Sequence, residues 1–206
     1  MSETPMSPSR VVVGVTGASG APYAKRVIEL LVAGGVETHL VVSPLGQRLL
    51  RDELGMEGVD LAALAGTDEP PANLILHNPR DVGATIASGS FAHDGMIVVP
   101  CSSNSLSAIA SGHAQHLMHR AAHVCLKERR RLVLVHRETP LSLVDIRNMA
   151  AATEAGAIVC PANPGFYMLP DSVDELVDFV VGRSLDLLGV PHGLRVRWAE
   201  QKASGR

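Results

Sequence analysis

Five apolar, β-branched runs, at residues 11–15, 39–42, 96–99, 132–135 and 157–159, each end abruptly in small, hydroxyl or charged residues. Between and after them the apolar spacing changes to the i, i+3, i+4, i+7 rhythm of a helix, over 21–32, 44–54, 105–110, 115–129, 141–154 and 173–188. Strand runs that alternate with helical stretches argue for βαβ units and a parallel sheet covered on both faces. The expected fold class is therefore α/β, a Rossmann-like open parallel sheet with helices on both faces. In such a sheet a ligand sits beyond the carboxyl ends of the strands, where the strand order reverses. All five abrupt ends then gather their polar residues at one edge.

The last helix carries the clearest phase. Val173, Leu176, Val177, Val180, Ser184, Leu187 and Leu188 form one stripe, and Gly189 and Pro191 stop it. Arg183 falls on the flank of that stripe, where a partly desolvated guanidinium needs an anion unless its stem merely snorkels to water. Residues 66–71, Gly-Thr-Asp-Glu-Pro-Pro, read as a surface loop. The expected organisation is a disordered tail over 1–10, a single domain over 11–194 and a polar tail over 195–206.

At 206 residues and 46% hydrophobic content the chain is long enough to bury one full core. A net charge of −3 and 3% aromatic residues give neither a field for phosphate backbones nor platforms for bases, so nucleic acid is not an expected partner. No stretch of roughly 18 apolar residues is present to span a bilayer, and the first ten residues lack the apolar core of a secretory signal, so no membrane association is expected and a cytoplasmic location is. Cys101, Cys125 and Cys160 are odd in number and far apart, which indicates neither a disulfide framework nor a zinc site.

Thr16-Gly17-Ala18-Ser19-Gly20 joins the first strand to a helix opened by Ala21-Pro22, and amides at such a helix start attract phosphate or another anion. The segment is neither GxGxxG nor a P-loop, and Ser43 stands where a dinucleotide site places an acidic residue for ribose. A mononucleotide fits better. Ser102, Ser103, Asn104 and Ser105 supply more hydroxyl and amide groups than a helix cap needs, enough to line a flat heterocycle or hold a phosphate ester. Arg137-Glu138 follows a fully apolar strand and must emerge at the ligand edge, where Arg can hold phosphate and Glu can exchange protons. Arg120 and Lys127 share a helix face and can approach one anion together, whereas His113, His116, His119 and His123 have no carboxylate or Cys among them and read as a surface or subunit-contact face, so no metal is expected.

The segments 15–21, 37–43, 88–91, 100–102, 120–122, 126–128, 132–140 and 165–167, taken together and in order, resemble the UbiX-type flavin prenyltransferases of the flavoprotein superfamily. The resemblance runs from about residue 11 to about residue 198 and implies a three-layer sandwich. It also implies transfer of a dimethylallyl group from dimethylallyl phosphate to N5 and then C6 of reduced FMN, yielding prenylated FMN for a UbiD-type decarboxylase, without a metal. Carried over by position, it implies that Gly17, Ala18, Ser19, Ser43, Ser102, Ser103, Asn104, Ser105 and Arg137 hold FMN, and that Arg120, Lys127, Tyr167 and Arg183 grip the prenyl phosphate. Ser19 and Glu138, with Glu53 as a lesser polar contributor, are the implied proton-handling groups. The family's large homo-oligomers, commonly dodecamers, are implied as well. The chain departs from the pattern at His136, where many members carry Pro, and over Val144-Asp145-Ile146-Arg147.

Two other functions share the same edge. A flavin-dependent cysteine decarboxylase of the phosphopantothenoylcysteine type would use a catalytic His, with His77 the candidate, and leaves Arg137, Glu138, Tyr167 and Arg183 without a role. A non-catalytic FMN carrier binds flavin and makes no product.

Overall fold

A computed structural model describes residues 9–194 of the chain; the expected tails fall largely outside these. Six strands alternate with helices: β1 (Arg10–Val15), α1 (Ala21–Ala33), β2 (Glu37–Val42), α2 (Pro44–Leu54), α3 (Leu61–Ala65), β3 (Leu74–His77), β4 (Gly95–Cys101), α4 (Ser103–Ala110), α5 (Leu117–Lys127), β5 (Arg131–His136), α6 (Leu143–Glu154), β6 (Ile158–Val159) and α7 (Val173–Leu188). All pairings are parallel, in the order β3-β2-β1-β4-β5-β6. The order reverses between β1 and β4, which is the crevice position of an open α/β sheet.

Why the strands read as unbroken apolar runs is visible in the packing. Alternate residues serve two cores: Val11, Val13, Val15, Leu40, Val42, Ile97, Val99, Val133 and Val135 face α1, α2, α3 and α7, while Val12, Val41, Met96, Val98, Leu132 and Leu134 face α4, α5 and α6. The expected helices 44–54 and 173–188 match α2 and α7, and α4 begins two residues earlier than its apolar rhythm, so the serine run lies inside its first turn. Two elements escaped the pattern. Helix α3 is five residues long, and β3 is a four-residue edge strand whose Leu76 is exposed. On α7 the stripe is buried at Val177, Val180, Ser184 and Leu188, but Val173 is 71% exposed because it opens the helix beyond the sheet's cover. Among the described residues no helix is long and apolar enough to cross a membrane.

The entry to α2 is seated directly on β1. Ser43 N donates to Val15 O at 2.9 Å, and the Ser43 hydroxyl caps the helix by accepting Gly46 N at 3.0 Å. A Cβ on Gly46 would stand 2.5 Å from Val15 O, so only glycine lets the helix lie this close to the strand. Gly46→Ala should therefore overpack by about 2 kcal/mol and lower the thermal midpoint by roughly 4–8 °C, as read by calorimetry.

Candidate functional site

At the reversal, the side chain of Thr16 joins the two loops that leave β1 and β4. Its Oγ1 donates to Pro100 O at 2.7 Å and accepts Ser102 N at 2.9 Å, and the group is 1% exposed. Ser102 N is thereby satisfied, and Pro100 O, which also accepts Thr16 N at 3.3 Å, gains a second donor. The glycine-rich turn and the serine run are held as one unit.

Ser102 caps α4 by accepting Ser105 N at 3.4 Å. Ser103 Oγ lies 3.3 Å from His136 Nε2 and donates to Glu138 Oε2 at 3.4 Å. Ser142, whose hydroxyl donates to Asp145 Oδ2 at 2.6 Å, with a smaller pull from Ser103, holds the Asp145 carboxyl down at about 2. The buried Ser105 hydroxyl is 3.2 Å from His119 Nε2. His119 is 2% exposed, which corrects the expectation of a surface histidine face: the ring packs between α4 and α5, stacked on His116 at 3.9 Å, while His113 stays exposed. Burial, then the neighbouring His116, His123 and His113, push the His119 imidazole down to about 4. Asn104 is exposed on the same turn.

Arg137 leaves β5 toward the glycine-rich turn, and its Nε donates to Ser19 O at 3.2 Å. Ser19 and Gly17 are exposed at the opening and Ala18 is buried beneath it. The helix start expected to attract an external anion already holds one. Glu53, from the last turn of α2, accepts Ala21 N at 2.8 Å and Gly20 N at 3.0 Å through Oε2, completing a cap that Gly20 itself cannot make. Gly20 sits at φ 130°, a conformation open to glycine, with the Tyr23 ring over it. Burial raises the Tyr23 phenol while Arg137 opposes the shift, which places a half-buried Tyr beside the opening that the sequence pattern had not singled out. Beneath the site Cys101 is fully buried, and burial pushes its thiol up to about 12, too high for a nucleophile.

Residues 1–185 match the family model described as Flavoprotein. The flavin prenyltransferase UbiX of Deinococcus radiodurans is 48% identical over 204 residues, covering 98% of this chain and all of that protein. The chain belongs to the UbiX-type flavin prenyltransferase family. Among solved structures it is similar to AnUbiX (PadA1) in complex with FMN and dimethylallyl pyrophosphate, with a TM-score of 0.83 and 45% identity over 92% of this chain and 96% of that one. It is also similar to a dodecameric FMN-dependent UbiX-like decarboxylase from Escherichia coli, with a TM-score of 0.82 and 44% identity over 92% and 98% of the two chains.

Within one copy of this UbiX-type chain, Ser19, Ser43, Ser102, Ser103, Ser105, Arg137 and Glu138 gather at the strand ends, whereas the four implied phosphate-gripping residues do not converge. Lys127 ends α5 where β5 is about to begin, at the opposite edge of the sheet, and pairs with Glu128. Arg120 is exposed two turns earlier on the same helix. Tyr167 packs edge-on to Phe179 at 5.6 Å on an exposed 3-10 turn, Phe166–Met168. The anion that Arg183 finds in this chain is Asp186, at 3.1 Å, with the guanidinium half exposed. His77 ends the edge strand, two strands from the reversal, with its Nε2 2.8 Å from His39 Nδ1. His39 in turn contacts Glu37, which pairs with Arg10. Thr16 and His136 are the contributors that sequence reasoning passed over: a Thr at a strand end carries no signal of its reach across the reversal, and His136 stood out only as a departure from Pro.

Two outcomes test this geometry. Thr16→Val orphans Ser102 N and should cost about 1–3 kcal/mol in denaturant unfolding, while Thr16→Ser retains the bridge and stays close to wild type. His119 binds its proton near 6.5 when unfolded but near 4 when folded. Acidification between those values favours the unfolded chain, by as much as about 3 kcal/mol for this residue. His119→Gln, which keeps a donor for Ser105 and does not titrate, should flatten that acid loss in a pH series of unfolding curves.

Proposed function

We propose that this chain transfers the dimethylallyl group of dimethylallyl phosphate to N5 and C6 of reduced FMN, and supplies the prenylated flavin to a UbiD-type decarboxylase. The observation that carries the reading is the meeting, at the strand reversal, of Arg137 with the glycine-rich turn and of Glu138 with the serine run, in a chain 45% identical to a protein solved with FMN and dimethylallyl pyrophosphate. The single domain is assigned to residues 11–194. Reduced flavin would supply an electron-rich N5 to one end of the allyl unit and C6 to the other.

The residues present fit that group. Ser102 and Ser103 offer partly exposed hydroxyls and Arg137 offers a cation, beside exposed Gly17 and Ser19, with the hydroxyls of Ser43 and Ser105 buried behind them. Glu53 occupies the amides of Gly20 and Ala21, so it orders the turn, and the flavin phosphate is assigned to the hydroxyls and Arg137. Glu138, held at Oε1 by Thr139 N at 3.1 Å and at Oε2 by Ser103, is the acceptor for the proton released as the new bonds form; Ser19 is its partner at the opening. Arg120, Lys127, Tyr167 and Arg183 grip the prenyl phosphate and stabilise it as it leaves.

Because those four are spread over the outside of one copy, the site is completed between copies in a homo-oligomer, a dodecamer by analogy with the E. coli neighbour. Exposed Leu141, Leu143, Val144, Ile146, Phe166 and Leu169 give apolar surface for such contacts. The decarboxylase alternative has less support, since its candidate His77 is engaged with His39 away from the reversal.

Anaerobic incubation with reduced FMN and dimethylallyl phosphate should release a flavin heavier by one C5H8 unit in mass spectrometry. Unmodified flavin from a protein shown to bind it would overturn the reading in favour of a carrier. Glu138→Gln should slow product formation by about 100-fold with flavin affinity nearly unchanged, whereas Arg183→Ala should chiefly raise KM for the prenyl donor.

A further inference from the structure

Ser103 has one hydroxyl proton and two partners around its oxygen: Glu138 Oε2 at 3.4 Å and His136 Nε2 at 3.3 Å. A carboxylate can only accept, so the serine proton belongs to Glu138. The imidazole therefore brings the second proton. His136, at the end of β5, is 2% exposed, and its backbone is fixed by His136 N donating to Cys160 O at 3.2 Å. Burial, aided by Arg137, lowers the imidazole's affinity for a second proton against the opposing pull of Asp145 and Glu138. The ring is neutral at pH 7 and has a single N–H to place.

We propose that His136 is a positioning residue for Glu138, acting through Ser103: its Nε2–H is donated to Ser103 Oγ, which turns the serine proton outward to the Glu138 carboxylate and fixes Glu138 at the ligand edge. A hydroxyl that accepts from one side donates more strongly on the other, so the imidazole also polarises the Ser103 bond to Glu138. With Thr139 N on the other oxygen, the Glu138 carboxylate is held at both ends before any substrate arrives. The role in proton transfer rests on the prenyltransferase reading; the hydrogen-bond chain itself does not.

Two measurements on the full-length protein separate those claims. In flavin-free protein labelled with 15N in the histidine rings, magic-angle-spinning spectra at pH 7.5 should show His136 as the neutral Nε2–H tautomer. Its Nε2 signal should move on Glu138→Gln and cease to respond to that change once Ser103→Ala is present. A neutral Nδ1–H ring, or an Nε2 signal indifferent to Glu138→Gln, overturns the proposal whether or not the protein prenylates flavin.

In turnover, His136→Phe should lower kcat by about tenfold with both KM values within about twofold, and His136→Gln, which keeps a donor, should recover most of the loss. In a Ser103→Ala background the His136→Phe change should add little further loss. Equal losses in the Phe and Gln variants, or additive losses with Ser103→Ala, also overturn it. If the wild type forms no prenylated flavin, the prenyltransferase reading fails and the spectra alone decide the contact.

Discussion

The two hydrogen bonds of the Thr16 hydroxyl carry the geometry of everything at the ligand edge. A parallel sheet leaves a gap where its order reverses, because the chain departs in opposite directions from β1 and β4, and beyond the backbone bond from Thr16 N to Pro100 O at 3.3 Å the two loops part. Thr16 closes that gap from inside, by giving a proton to Pro100 O and taking one from Ser102 N. Ser102 is the cap of α4, so its position sets the direction of the next three residues. Ser19, four residues along the other loop, meets Arg137 through its carbonyl. A displacement of one loop against the other would separate the hydroxyl run from the guanidinium.

Charge around this edge is arranged so that the protein's own groups satisfy one another without closing the opening. Glu53 takes the amides at the start of α1, the position most attractive to a free anion. That choice leaves Arg137, Ser19, Ser102 and Ser103 as the groups with access to solvent. Behind the serines stand two buried imidazoles, His136 against Ser103 and His119 against Ser105. A neutral buried ring brings a directed N–H without a second charge, which suits a place already crowded by Asp145, Glu138 and Arg137. Buried Cys101, with its thiol pushed up to about 12, adds bulk beneath the site and no reactivity.

The architecture was largely legible in the chain because the strands are buried on both faces and so read as continuous Val, Ile and Leu runs. The same logic explains the misses. β3 lies at the sheet's edge and is only four residues long, so its apolar run, Leu74-Ile75-Leu76, is too brief to stand out; α3 is a single Ala-rich turn and a half without a full period. The polar residues of the reversal were legible by position alone, since a strand's end is visible in sequence. Their partners were not: Thr16 reaches Ser102 across 86 residues and Glu53 reaches Gly20 across 33, distances over which no periodicity reports. His119 was misread because a histidine at helical spacing looks the same whether the face it shares meets water or α4.

The dispersal of the four residues proposed to grip the prenyl phosphate follows from the fold itself. A departing phosphate needs several cations and hydroxyls converging from one side. In a βαβ unit the helix runs back from the ligand edge, so Lys127, at the far end of α5, is carried to the edge where β5 begins. Seven residues separate it from Arg120, about 10 Å of helix, and no rotamer spans the sheet to bring it back. Lys127 meanwhile rests on Glu128, a surface pair of little net worth that can exchange a carboxylate for a phosphate at small cost, and the half-exposed Arg183 guanidinium rests on Asp186, a carboxylate that His192 also holds. Under the proposed reading, a neighbouring copy is the source of what one copy cannot deliver: its α5 or α7 approaches from outside the opening, while Ser19, Arg137 and Glu138 hold the flavin side. Flavin recognition is then a property of the folded chain and prenyl-phosphate recognition a property of the assembly, which separates the binding of the two substrates along a physical boundary.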